Sequence, residues 1–388
     1  MNKEIIGNIN LIFREIFGKK SSINAKAPGR ANIIGEHTDY NGGFVLPIGI
    51  DRNIYTAASK NNENNVNVYS YDFQNKVSFN IDNLQYDNQN RWSNYLKGVI
   101  NEFKIAGYRV SGFNMVFGGD IPVAAGLSSS AAVELATAIT IKKLFNLKID
   151  KIELAKLCQK AENNFVGVKC GIMDQFTSSL AITDQAILLD CKTLQYKYIP
   201  FILSDFIIVL CNTNKKRELV DSEYNRRKKE CESGVRFFKK INPGIEFLRD
   251  VDLNMFESNQ FRLPENVRKR CEHVIYENER VLKTVESLKT DAIPDIGVLL
   301  FKSHNSLKNL YEVSCKELDI MVNIAARIDG CIGSRMMGAG FGGCTINLVK
   351  KHCIEEFSYK IKTKYRKKTK IDPDIYICKT ENGAEIIK

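Results

Sequence analysis

Apolar positions along the chain change their spacing several times, and each change marks the edge of an element. Over residues 3–18, Ile5, Ile6, Ile9, Ile12, Phe13, Ile16 and Phe17 fall on one helical face, and Gly18 is the stop. Residues 48–82 alternate apolar and polar positions in short runs, broken by turns such as Lys60-Asn-Asn-Glu-Asn-Asn65. This predicts strands of an antiparallel sheet. Trp92 opens a helix that continues through Ala106. A strand-like stretch, Gly112 to Phe117, runs into a loop of small residues, which opens a helix rich in Ala and Leu. Asp150-Lys-Ile-Glu153 has capping-box spacing and starts a helix ending near Glu162-Asn-Asn164. Residues 186–211 read as strands.

From about residue 200 the character changes. A polar turn from Asn212 to Arg217 leads into a helix from Arg217 to about Lys240, and Pro264 begins another that runs to about Lys289. Ser314-Cys-Lys-Glu317 is a second capping box. Residues 333–349 form a glycine-rich turn into a strand, followed by a helix over 354–362 and a strand over 375–378. A chain of 388 residues is long for one core, so two domains are expected, 1–199 and 200–388.

Composition narrows the classes. Hydrophobic content of 44% and charged content of 26% are those of a globular chain. The net charge of +11 raises the question of a nucleic-acid partner, but the basic residues are scattered. The clusters at 226–229 and 364–370 read as solvated faces, and a modest positive field also suits an anionic substrate such as ATP. The eleven cysteines show no C-x-x-C pair and sit largely in apolar runs, which predicts free thiols in a reducing compartment. No signal-peptide pattern opens the chain, and no apolar run reaches the ~20 residues that span a bilayer. A cytoplasmic monomer, binding neither nucleic acid nor membrane, is expected.

Three segments carry candidate chemistry. In the first, Arg30, Asn32, Glu36, His37, Asp39 and Tyr40 crowd into eleven positions punctuated by glycines. Such a loop can hydrogen-bond several hydroxyls at once; the alternative is a polar surface loop. In the second, Gly126 permits a turn, and Ser128, Ser129 and Ser130 sit where the first free N–H groups of the following helix point. A helix start of this kind binds anions; the alternative is ordinary serine capping. In the third, Asp174 lies among Met173 and Phe176, and a carboxylate in apolar company has a partner or a task. Its alternative is a capping or salt-bridged acid. Trp92 reads equally as core or as a ring stacked on a ligand.

These segments together resemble the GHMP kinase superfamily of small-molecule kinases, and within it the galactokinase family. Gly29-Arg-Ala-Asn-Ile-Ile-Gly-Glu-His-Thr-Asp-Tyr40 is similar to the galactokinase signature. Gly126-Leu-Ser-Ser-Ser-Ala131 is similar to the superfamily's phosphate loop, and Gly338-Ala-Gly-Phe-Gly-Gly343 to its third motif. Cys170-Gly-Ile-Met-Asp-Gln-Phe176 and Ser222-Glu-Tyr224 also match. The likeness runs from about residue 20 to 380 in the family's order. It implies a two-lobed α+β fold, with a mixed or antiparallel sheet in the first lobe and the active site between the lobes. It implies transfer of the γ-phosphate of MgATP to the C1 hydroxyl of galactose.

By the same resemblance, Asp174 is the proton acceptor, and Arg30 holds it and stabilises the transferring phosphoryl group. Glu36, His37, Thr38, Asp39, Gly171 and Tyr224 contact the sugar. Ala124, Ala125, Gly126, Leu127, Ser128, Ser129 and Ser130 form the ATP phosphate loop, and Ser70 and Trp92 fall near the adenine pocket. Ser130 and Glu162 match the Mg²⁺ ligands. Two departures stand out: Ala124 where many relatives have Gly, and Met337 where many have Thr. Kinases for N-acetylgalactosamine or L-arabinose remain rivals. A non-catalytic galactose and ATP sensor is a further one, against which the complete serine loop, Asp174 and Arg30 argue.

Overall fold

A computed structural model describes residues 2–122, 125–215 and 220–387. Ala124, Arg217 and the side chain of Ser222, all singled out above, lie outside the described residues.

The first sheet has six strands, in the order Glu385–Ile387, Ile23–Asn32, Pro47–Lys60, Phe113–Gly119, Asn65–Ser70, Asn75–Asn80. The expected antiparallel arrangement of 48–82 is corrected at one point. The strand 113–119 inserts between 47–60 and 65–70, antiparallel to the first and parallel to the second. The crossover helix Ser93–Ile105 makes that parallel pairing possible. Alternation along 47–60 divides its side chains between two faces. Tyr55 and Ala57 pack with Ile9 and Phe13 of the helix Asn2–Phe17. On the other face Thr56 hydrogen-bonds Thr140 of the helix Ser129–Leu144 at 2.7 Å. That helix lies close to the sheet because Ala131, Ala132, Ala136 and Ala138 are small and fully buried.

A second, four-stranded antiparallel sheet runs Cys331–Met336, Cys344–Lys350, Phe206–Asn212, Asp374–Cys378. Helices Lys316–Ala325 and Ile354–Thr369 bury Met321, Ala325, Phe357 and Tyr365 against it. A third sheet joins the short strand Phe44–Val45 to Gln185–Asp190 and Tyr196–Pro200. The largest core cluster joins Ala31, Leu46 and Leu127 to Ile208, Leu210, Val281 and Ile346, and the last strand returns to pair with 23–32. Residues 385–387 therefore sit in the first sheet. No helix among the described residues is long and apolar enough to cross a membrane.

Two local readings need correction. The second capping box does not form: the helix starts at Lys316 behind Cys315, and the Ser314 hydroxyl donates to Asp319 at 2.7 Å. The helix that starts at Lys151, capped by Asp150 as predicted, does not end plainly. It widens into a π-helical turn over Ala161–Val166 that contains Glu162.

Candidate active site

Arg30 is aimed by a slip in strand register between Pro28 and Arg30. Its guanidinium is bidentate on Asp174, Nε to Oδ1 at 2.7 Å and Nη2 to Oδ2 at 2.9 Å, and its Nη1 donates to the Gly126 carbonyl at 2.8 Å. Burial alone would lower the arginine's pKa; the charges of Asp174 and Glu36 and the bond to Asp174 leave it raised instead. Asp174 stands in the first turn of the helix Met173–Leu180, so it is an ion-paired acid and also faces a cleft.

Ser128 precedes the helix 129–144 in the left-handed region, at φ 59°, and makes no capping bond. Its hydroxyl donates to Asp174 Oδ2 instead. Ordinary serine capping is thereby excluded at Ser128. A carboxylate offers about four lone-pair positions. Arg30 and Ser128 occupy three, leaving one on Oδ1 for another donor.

The loop from 30 to 43 supplies the cleft's polar wall. Glu36 is buried, with Oε2 accepting from Asn32 at 2.9 Å and Oε1 from the Gly338 N–H at 2.8 Å and from Arg335 at 3.1 Å. His37 is also buried, and burial, with the His273 charge next, lowers its pKa to about 3. Asp39 has its carboxyl pushed up to about 7, by burial first and then by Asp174. A Cβ at Gly171 would meet Asp39 Oδ2 at 1.9 Å, so only glycine allows that carboxyl its place. Tyr224 lies with its ring 5.7 Å from His37 and 5.1 Å from Tyr40.

The raised Asp39 pKa has a sign. The folded state holds this proton up to about pH 7, and the unfolded chain releases it near 3.8, so stability falls as pH rises between those values. Asp39→Asn should therefore raise the melting temperature of the ligand-free protein, and by more at pH 8 than at pH 5. Melting curves at both pH values check this; an equal gain at both would contradict it.

Across the cleft, Glu162 lies beside Ser130 and Gln175, whose amide nitrogen is 2.5 Å from Glu162 Oε2 and 3.0 Å from Glu134 Oε2. Burial first, then the Asp174 charge, raises the Glu162 carboxyl to about 7. A divalent cation fits this pair, because its charge would offset both effects. No group of three His, Cys, Asp or Glu among the described residues could hold a metal alone, so phosphates and water would complete the shell.

The resulting cleft has a volume of about 450 Å³. It brings together Arg30, Glu36, His37, Asp39, Gly126, Ser128, Ser129, Ser130, Glu162, Gly171, Asp174 and Tyr224. Five described residues expected there do not line it. Thr38 is turned inward, its hydroxyl on the carbonyls of Gly35 at 2.8 Å and Phe44 at 2.6 Å. Ala125 and Leu127 are buried as core beneath the loop. Ser70 and Trp92 form a neighbouring group: Trp92 stacks on Phe73, 6.3 Å between centroids, and touches Phe117, the register partner of Ser70. Tyr95, one turn beyond Trp92, reaches the cleft. Met337 is buried in the core and does not line the cleft.

Several supporting residues carried no signal in sequence. Glu277 accepts from the Gly35 N–H at 3.1 Å and Asn278 from the Phe44 N–H at 2.8 Å, so one helix, Glu265–Lys289, pins both ends of the polar loop. Arg335 was within sight, since it sits three residues before Gly338 of the third motif.

A carboxylate held by a guanidinium beside a serine-rich helix start, on this frame of three sheets, defines a GHMP-type small-molecule kinase. The family description "GHMP kinases N terminal domain" matches residues 94–181 and "GHMP kinases C terminal" residues 284–367. The fold is also that of the mevalonate kinase of Methanococcus jannaschii, with a TM-score of 0.64 at 19% identity, covering 93% of this chain and 98% of that one. "Galactokinase galactose-binding signature" matches residues 12–60. A galactokinase of Fusobacterium nucleatum is 45% identical over 386 residues, 98% of this chain and 99% of its own length. The crystal structure of Lactococcus lactis galactokinase complexed with galactose aligns with a TM-score of 0.95 at 36% identity, covering 98% and 99% of the two chains. The chain belongs to the galactokinase family.

Proposed function

We propose that the protein transfers the γ-phosphate of ATP to the C1 hydroxyl of α-D-galactose, giving galactose 1-phosphate and ADP. The observation that carries this is Asp174, bound by Arg30 and Ser128, with one lone-pair position open to the cleft between the polar loop and the serine-rich helix start. Phosphoryl transfer depends on alignment and charge stabilisation. Asp174 accepts or orients the C1 hydroxyl proton. Arg30, fixed on both Asp174 and the Gly126 carbonyl, sits where charge develops on the phosphoryl group. Glu36, His37, Asp39 and Tyr224 bind the sugar hydroxyls, and Gly171 leaves Asp39 room to do so. Gly126 and Ser128 to Ser130 cradle the phosphates. The nucleobase lies toward Tyr95, Trp92 and Ser70. Ser130 and Glu162 would hold Mg²⁺, which neutralises phosphate charge when bound. Buried free thiols such as Cys158, Cys211, Cys231 and Cys271 support a reducing compartment.

ADP release measured over a sugar panel tests the reading. Galactose should be turned over far faster than glucose, and faster than N-acetylgalactosamine or L-arabinose. Equal rates for galactose and glucose would remove the sugar assignment. For the metal, Ser130→Ala should weaken Mn²⁺ binding, read by electron paramagnetic resonance in the presence of ATP, about tenfold. An unchanged titration would take Ser130 out of the metal site.

A further inference from the structure

We propose that His37, Tyr40, Tyr311 and Cys231 form one hydrogen-bonded relay that fixes His37 as its Nε2–H tautomer, which makes Tyr311 a positioning residue for sugar recognition. The proposal rests on the sugar reading above.

The run is continuous. His37 Nδ1 lies 2.8 Å from the Tyr40 hydroxyl, which lies 2.7 Å from the Tyr311 hydroxyl, which lies 3.2 Å from the Cys231 sulfur. All four residues are buried or nearly so, and His37 sits at φ 63°, held there in part by Asn41, whose amide donates to the His37 carbonyl at 2.8 Å. At the other end of the imidazole, Nε2 is buried and completes no hydrogen bond among the described residues, with the Ala339 backbone near the ring, and His37 lines the cleft. A buried polar atom without a partner is costly, so one that faces a cleft awaits a ligand atom.

Each hydroxyl and the thiol has one proton, so the relay has two orientations. In one, the Cys231 thiol donates to Tyr311, Tyr311 to Tyr40, and Tyr40 to Nδ1. In the other, Nδ1–H donates to Tyr40 and the chain ends by placing a phenol proton on sulfur. The first gives the strong phenol donor to the strong imidazole acceptor and asks of sulfur only a weak donation. It leaves Nε2–H to donate to a sugar oxygen. No member is charged at neutral pH: burial pushes the Cys231 thiol to about 12, raises both tyrosines, and keeps His37 neutral. Tyr311 is itself fixed from outside the cleft, with Arg227 Nε donating to its carbonyl at 2.7 Å.

His273 calibrates the test. Its Nε2 faces the Glu36 carbonyl, which only accepts, at 3.1 Å, so it must carry its proton on Nε2. With only four histidines in the chain, ¹⁵N-histidine spectra of the sugar-free protein can be assigned, using His37→Gln to identify its signal. His37 should show the Nε2–H pattern beside His273; an Nδ1–H or mixed pattern overturns the proposal. Galactose affinity by calorimetry should then fall about three- to tenfold in Tyr311→Phe, the loss of one buried hydrogen bond. Among the 2-, 3-, 4- and 6-deoxygalactoses, one should bind the variant no worse than the wild type, because it lacks the oxygen that His37 meets. An equal loss across the panel marks a merely structural tyrosine and overturns the proposal. Cys231→Ala, which removes the far donor, should give the same pattern more weakly, and serves if Tyr311→Phe fails to fold. If the wild type bound no galactose, the sugar reading would fail, while the tautomer spectrum would still decide the relay.

Discussion

Asp174→Asn is expected to lower turnover by about a thousandfold while galactose binding stays within about tenfold of wild type. A positioned proton acceptor contributes roughly 10²–10⁴ in rate. The asparagine keeps the size of the side chain but loses its charge and one of its two acceptor oxygens. Arg30 offers donors to both carboxylate oxygens, and Ser128 offers a third. Because Arg30 donates to both oxygens, the amide NH₂ faces the guanidinium in either orientation, and in one of them it also takes the position open to the C1 hydroxyl. In neither orientation does it accept the sugar proton well. In the proposed sugar site the other hydroxyls still meet Glu36, His37, Asp39 and Tyr224, so binding should survive. Single-turnover phosphate transfer and calorimetric sugar binding separate the two effects. Turnover within tenfold of wild type would show that Asp174 only aligns the sugar. The same variant carries an internal check. Asp174 is the second cause, after burial, of the raised Asp39 pKa, so its removal should bring that pKa down from about 7.

The reach of sequence reasoning follows the reach of the forces involved. Elements set by local periodicity were legible: the helix 2–17 with its glycine stop, the alternating strand 65–70, and the helix opened by Asp150. The helix Ile293–Ser306 was missed, because its Ile-Gly-Val-Leu-Leu-Phe run is apolar nearly all round and shows no period. Strand order was out of reach, since the insertion of 113–119 between 47–60 and 65–70 depends on where a crossover helix packs. In the site, the polar loop was legible by its density of charge among glycines. Which way each of its side chains turns was not. Thr38 is identical in kind to its neighbours in sequence, yet its hydroxyl closes the loop on two carbonyls. Of the residues that hold the site, Glu277 and Asn278 carry no sequence signal because their partners are distant in the chain, while Gln175 and Arg335 stand in or beside quoted motifs but their partners belong to other elements.

Arg335→Met should cost about 3–5 kcal/mol of stability, the usual loss when one partner of a buried ion pair is removed. Arg335 is fully buried, and the methionine fills much of its volume without its charge or donors. Its Nε donates to the Ile33 carbonyl at 2.8 Å, its Nη1 to Met336 at 2.6 Å and to Glu36 at 3.1 Å, and its Nη2 to the Asn32 carbonyl. Removal deprives three backbone carbonyls and one buried carboxylate of a donor at once. For a chain of this length the melting temperature should fall by roughly 4–6 °C. Galactose affinity should fall with it, because among the described residues Glu36 then keeps the hydrogen bonds from Asn32 and the Gly338 N–H but loses its buried charge partner. Glu36→Gln in the same background tells the two contributions apart. If the ion pair dominates, the double variant loses about 1–3 kcal/mol less than the sum of the single changes. Strict additivity would mean that Arg335 acts through the carbonyls of Asn32, Ile33 and Met336, stitching the third glycine-rich motif to the polar loop by backbone alone. The carboxylate would then owe its position to Asn32 and Gly338.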